Sequence, residues 1–336
     1  MVNSRRKVFD LYNLAALAIG KSRRGAPLAC VLIAGALLLS SRPGVADDAA
    51  TKANEKPATR TYIANIDGSE MKRLTELEEY QFQGSPEWSQ DGTLIAFDAW
   101  KPQKGEDLHD SQIVVVNADG SNPRVLCDGA MPSFSPRAKR IVFSRYSPNR
   151  GVWVMSSEGP EHGLALLDES GWSGVWSPDG TKIAYTKYDG SGANIVIFDL
   201  IEGDRRLLFE AGDPRYSTIY WNFTWSPDGK QIVFKGGKGD QYEVAIVDTR
   251  GAEHGLVTRY EGQTSGCFAW SPDGKRILFC MGHPEHKLVQ LFSVDSDTSA
   301  PPQWLPWQDP KVRHTNATYS PDGKRLAISR QPAESP

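Results

Sequence analysis

Trp225-Ser226-Pro227-Asp228-Gly229-Lys230-Gln231-Ile232-Val233-Phe234 is an apolar lead-in, a tight polar turn and a run of β-formers. Pro presets φ for the second position of a type I turn, Asp tolerates the third, and Gly adopts the positive φ that lets a hairpin close. The same phrase is written six times. The other copies are Trp88-Ser89-Gln90-Asp91-Gly92, Phe134-Ser135-Pro136-Arg137-Ala138, Trp176-Ser177-Pro178-Asp179-Gly180, Trp270-Ser271-Pro272-Asp273-Gly274 and Tyr319-Ser320-Pro321-Asp322-Gly323. Their serines follow one another at intervals of 42 to 49 residues. A period of that size, with strand signals on both sides of the turn, describes a β-propeller with one four-stranded blade per repeat.

Working outward, Thr61 to Ser69 and Met71 to Thr75 read as a strand, an Asp-Gly turn and a second strand. The same pair recurs from Ile113 to Leu126 as the second half of a blade, so the chain opens with half a blade. Its last strands, Ala317 to Ser329, supply the missing half and would close the ring without a free edge. The expected fold is all-β: a six-bladed β-propeller over residues 60–330 whose closing blade combines N- and C-terminal strands, followed by a tail at 331–336. Second strands such as Ile183-Ala184-Tyr185 and Ile277-Leu278-Phe279 are apolar on both faces, as strands packed between blades must be. The fixed register of Trp176, Trp225 and Trp270 points to inter-blade packing, not ligand stacking. In the second copy Pro136-Arg137-Ala138 replaces Pro-Asp-Gly. Ala138 cannot take a positive φ cheaply, so a different turn is expected there.

The formal charge of −3 conceals an asymmetry: residues 1–46 hold seven Lys/Arg and one acid, leaving −9 on the remainder. That balance opposes nucleic acid and anionic lipid, and no nucleic-acid partner is expected. A basic region ending in Lys21, Arg23 and Arg24, an apolar run from Leu28 to Leu39, then Pro43, Gly44 and Ala46 read as an export signal over residues 1–46. The apolar run falls short of the ~20 residues a membrane span needs, so no span is expected once the signal is removed. Residues 47–59 read as a disordered leader, and the localisation expected is periplasmic or otherwise exported.

Antiparallel order gathers the Ser-Pro-Asp-Gly turns on one face, with His162 and His254 recurring in matching outer turns. The opposite face collects the longer connections, where binding residues usually sit. Glu79, Tyr80, Phe82, Trp100, Arg215, Tyr216, Tyr220, Trp221, Lys311, Arg313 and His314 fall there, a mixture of aromatic and basic residues typical of protein recognition. Trp100, Trp221, Trp304 and Trp307 are the platforms a sugar ligand would use. In the fifth repeat, pairing Ser271 with Arg276 sets Cys267 opposite Cys280, with His283 and His286 in the next loop. A disulfide, two free half-buried thiols and a Cys2His2 metal site are the three readings of that cluster. Cys127 has no evident partner. No nucleophile elbow, phosphate-cradling loop or His-Glu-x-x-His occurs, so no catalytic residue and no cofactor are expected.

The combination of Val116-Asn117-Ala118-Asp119-Gly120-Ser121, Arg124-Val125-Leu126 and Trp-Ser-Pro-Asp-Gly-Lys-x-Ile-Ala-Phe resembles the repeat of the TolB-type β-propellers, over residues 60–330. The resemblance implies a six-bladed propeller that binds envelope proteins, a peptidoglycan-associated lipoprotein among them, without catalysis. It makes an envelope protein or peptide the expected partner of a monomeric chain. TolB carries an α/β domain ahead of its propeller, and here only about 14 residues separate the export signal from the first strand. That domain is therefore expected to be missing. Similar repeats occur in oligogalacturonate lyase, whose propeller holds manganese through central histidines, but the six His of this chain do not recur at inner-strand positions.

Overall fold

The computed structural model describes residues 58–101, 110–188, 192–210, 213, 215–298 and 300–332. The expected export signal and all but the last two residues of the expected leader lie outside them. So does most of the Trp100–Asp110 connection.

β1 (Arg60–Asn65) and β2 (Lys72–Arg73) open the described chain. The first full blade is β3 (Phe82–Trp88), β4 (Leu94–Trp100), β5 (Gln112–Asn117) and β6 (Arg124–Asp128). The second is β7 (Ala130–Phe134), β8 (Arg140–Arg145), β9 (Gly151–Ser156) and β10 (Gly159–Asp168). The third is β11 (Gly171–Trp176), β12 (Lys182–Tyr188), β13 (Ala193–Asp199) and β14 (Arg205–Leu207). In the fourth, the inner strand is split into β15 (Thr218–Ile219) and β16 (Thr224–Trp225), both paired to β17 (Gln231–Lys238), with β18 (Gln241–Asp248) and β19 (Leu256–Glu261) outside. The fifth is β20 (Thr264–Trp270), β21 (Arg276–Gly282), β22 (Val289–Asp295) and β23 (Gln303–Trp304).

β24 (Val312–Tyr319) and β25 (Arg325–Pro332) then meet β1 and β2 in the order β24-β25-β1-β2, which is the composite sixth blade. The seam runs in unbroken register from Arg60 opposite Arg330 to Asn65 opposite Arg325. β25 continues to Pro332, two residues into the expected tail.

Apolar residues of the second and third strands fill the spaces between blades. Ile95, Phe97, Ile141, Phe143, Ile183, Tyr185, Ile277 and Phe279 are all fully buried. Trp88, Trp176, Trp225 and Trp270 are buried with them, so the repeated indoles are inter-blade packing. Each contributes several kcal/mol of apolar burial to the ring, on the order of 3–5 kcal/mol when truncated.

The recurrent turn is held by its own side chains. In five copies the serine Oγ donates to the aspartate Oδ1 (Ser89 to Asp91 at 2.7 Å, Ser226 to Asp228 at 2.7 Å) and accepts the first amide of the next strand. The serine hydroxyl thereby holds the Asp91 and Asp228 carboxyls below the usual carboxylate range. The second copy folds differently, as its Ala138 demands. Ser135 Oγ accepts the amides of Arg137 and Ala138, Arg140 N donates to Ala138 O at 2.7 Å, and Ala138 stays out of the positive-φ region.

Gly120, at φ +93, shows how closely turns pack across blades: a Cβ there would lie 2.1 Å from the Leu74 carbonyl oxygen. Gly120→Ala is expected to cost about 2 kcal/mol or more. A urea midpoint indistinguishable from that of the parent would refute it.

Candidate functional site

The loop-rich face is built from fewer loops than the spacing suggests. Phe82 and Trp100 face one another across the ends of β3 and β4, and Arg313 and His314 lie within β24. Only Gly262 and Gln263 separate β19 from β20. Inner strands run on past their bulges, which turns loop sequence into strand. His162 likewise lies in β10, while His254 ends a short 3-10 turn; each is exposed beside the preceding glutamate.

Burial divides the expected binding residues. Tyr80 is 3% exposed and donates its hydroxyl to Gln112 Oε1, and Tyr216 is 5% exposed with its hydroxyl on Glu243 Oε1. His314 is fully buried: Nδ1 meets Gln308 Oε1 at 2.7 Å and Nε2 accepts from Arg330 Nε at 3.1 Å. Burial pushes its pKa down to about 3, so it is a neutral brace. Arg330 stacks over Tyr62, which ties β24 through β25 to β1. These three residues hold the rim together. Glu79, Arg215, Trp221, Lys311 and Arg313 are exposed, and Phe82, Trp100 and Tyr220 are half-buried. Of the four tryptophans suited to sugar stacking, Trp221 alone is exposed, at 48%; Trp304 donates to Gln290 and Trp307 packs on Gly68.

A cavity of about 520 Å³ opens on this face, lined by Arg215, Tyr216, Gly236, Gly237, Lys238 and Tyr242 with Asp240, Glu243 and Glu261. Gly236 forms its floor because Tyr216 lies across it; a Cβ there would be 2.3 Å from the ring. Tyr220 bridges the cavity to Trp221, with ring centroids 6.0 Å from Trp221 and 6.1 Å from Tyr242. Beneath sits Lys235, 4% exposed, its Nζ donating to Thr264 O at 2.7 Å and lying 4.2 Å from the Tyr220 ring centre. Burial depresses the Lys235 pKa, and the tyrosine faces offset part of that cost. The result is an exposed indole linked by two tyrosine rings to a pocket carrying both signs of charge.

Lys235 belongs to a set of second-strand residues that share one register position. Ser85, Met131, Ser173 and Asn222, each three residues before a repeat aromatic, have positive φ where the inner strand bulges. Backbone groups freed by the bulges meet polar side chains on second strands: Met131 N donates to Asp98 Oδ2 and Ser173 N to Ser144 Oγ. Asp98, Ser144, Thr186, Lys235, Cys280 and Ser329 all stand ten residues after their aromatic. That spacing was the available signal.

The inner strands enclose a cavity of about 400 Å³, lined from the bulges to the Ser-Pro turns. Among the described residues, Glu87 is the one charged side chain in its wall; the matching positions hold Ser133, Val175, Thr224, Ala269 and Thr318. Burial pushes the Glu87 carboxyl up to about 8 and Asp98 up to about 6. None of the described histidines lines this cavity.

The structure separates the cysteines of the fifth blade from the histidines. Cys267 and Cys280 are buried free thiols, whereas His283 and His286 stack at 4.3 Å in the β21–β22 loop and cluster with Glu285. Among the described residues a Cys2His2 site is not assembled: the loop closes through His283 N to Leu288 O, and the His283 ring packs against Phe292 and Trp304. Cys127 is also free and touches the Met155 sulfur.

Six blades around a central cavity, closed by strands from both ends of the chain, define a β-propeller of composite-blade type. Residues 167–335 match the family model of the TolB beta propeller domain, and the chain belongs to that family. TolB from Acinetobacter baumannii superposes with a TM-score of 0.58 at 17% identity over 82% of this chain, which spans 65% of that protein's length. A TolB candidate from Agrobacterium tumefaciens gives 0.62 at 18% identity, covering 82% of this chain and 99% of the other. An oligogalacturonate lyase in complex with manganese gives 0.51 at 17% identity, over 70% and 71% of the two chains. At these identities the likeness shows the fold alone. No curated protein matches the chain in sequence. Among the described residues no helix is long and apolar enough to cross a membrane.

Proposed function

We propose that this chain is an exported, non-enzymatic TolB-family propeller that binds an envelope protein or peptide on its loop-rich face. The observation that carries the reading is Trp221, 48% exposed on the loop-rich face and joined through the rings of Tyr220 and Tyr242 to a pocket bearing Arg215. An accessible indole and an arginine on one face of a rigid scaffold are the residue types that dominate protein-recognition energetics. Glu79, Lys311 and Arg313 are exposed charges that would set approach and register, not affinity. The export signal read from residues 1–46 supports a periplasmic or otherwise exported location, with the monomer as the binding unit.

Trp221→Ala combined with Arg215→Ala is expected to cut recovery of cross-linked envelope partners at least tenfold while leaving the melting temperature unchanged. The variant spares Tyr80 and Tyr216, whose loss would damage the fold itself. Undiminished recovery would exclude this face.

A further inference from the structure

Cys267 on β20 and Cys280 on β21 face the same core, the one shared between the fifth and the composite blade. The register pairs Ala269 with Leu278 and Phe268 with Phe279, so the following rung brings the two cysteines together where β20 bulges. Both are buried, Cys267 at 3% and Cys280 at 0% exposure. Their access differs: Cys267 is part of the central cavity wall, and Cys280 is not. Burial raises the Cys280 pKa well above its ordinary value, and the adjoining Cys267 thiol raises it further.

We propose that Cys267 and Cys280 are a dithiol that closes to a cross-strand disulfide by exchange with a small external disulfide entering the central cavity, Cys267 reacting first. The Cys267 thiolate attacks one sulfur of the external disulfide, forming a mixed disulfide and releasing one external thiol. Cys280 then gives up its proton to water and its sulfur attacks the Cys267 sulfur, releasing the second external thiol. The chain loses two electrons and two protons, and the external disulfide is reduced to two thiols. The link pins the inner strand at its bulge and shortens the freedom of the unfolded hairpin. The proposal rests on the export reading only for the oxidising surroundings; the exchange itself does not need it.

The test uses the reduced full-length protein, which has four cysteines. After incubation with oxidised glutathione, thiols are counted in denaturant and peptides are mapped. Two thiols should disappear, a Cys267–Cys280 peptide should be recovered, and the melting temperature should rise by on the order of 5 °C. Cys280→Ser should stop at a glutathione adduct on Cys267. Retention of all four thiols, adducts on Cys280 before Cys267, or a link through Cys127 would overturn the proposal. Closure in vitro combined with fully reduced protein recovered from cells would instead overturn the export reading and leave the exchange standing.

Discussion

A chain ending after Trp307 is expected to lose cooperative folding altogether, not to shed one blade. The cut removes β24 and β25, and with them Ala317, Leu326 and Ile328 from one inter-blade core and Ala327 from the next. It also strips β1 of its entire partner strand, leaving β1 and β2 as a two-stranded ribbon that is marginal in water. The His314–Arg330–Tyr62 brace goes as well. A domain of this size holds a net stability of about 5–15 kcal/mol, less than the loss of two inter-blade cores. Circular dichroism melts would decide: a sigmoidal transition near that of the intact chain would rule out the closed ring as the unit of stability.

The second large effect concerns Glu87. Its folded pKa of about 8 lies above the ordinary value of 4.5, so between those limits the folded chain keeps a proton that the unfolded chain releases. Stability from this group is present below the ordinary pKa and falls as pH rises towards 8. Glu87→Gln carries no charge in either state and escapes that loss. Relative to the parent, the variant should gain about 2 kcal/mol between pH 5 and pH 9, a value discounted for water reaching the carboxyl through the cavity. Parallel urea midpoints for the two proteins across that range would show that Glu87 ionises freely.

The two effects differ in how far they could be foreseen. The blade count, the composite closure and the exceptional second turn were legible because each rests on local chemistry: Ser-x-Asp-Gly hydrogen bonds, the conformational freedom of glycine and the twofold alternation of strands. Burial at the rim was not legible. Tyr80, Tyr216 and His314 have the composition of a recognition surface, yet Gln112, Glu243 and Arg330 on other strands, with Gln308 in the loop before β24, draw them inward. The roles of Asp98 and Lys235 were hidden for the same reason, since each serves a backbone group of the following blade.

By itself, then, the sequence determined that this is a ring of six repeats sealed by its two ends, because a repeated turn and a repeated strand pattern are encoded within a dozen neighbouring residues. The tertiary structure alone decided which rim residues stay accessible, that one carboxyl stands in the central cavity, and that the fifth-blade cysteines part company with the histidines. Those outcomes depend on which side chains meet across strands and blades, 32 residues apart for Tyr80 and Gln112 and 33 for Asp98 and Met131, and no local pattern carries that distance.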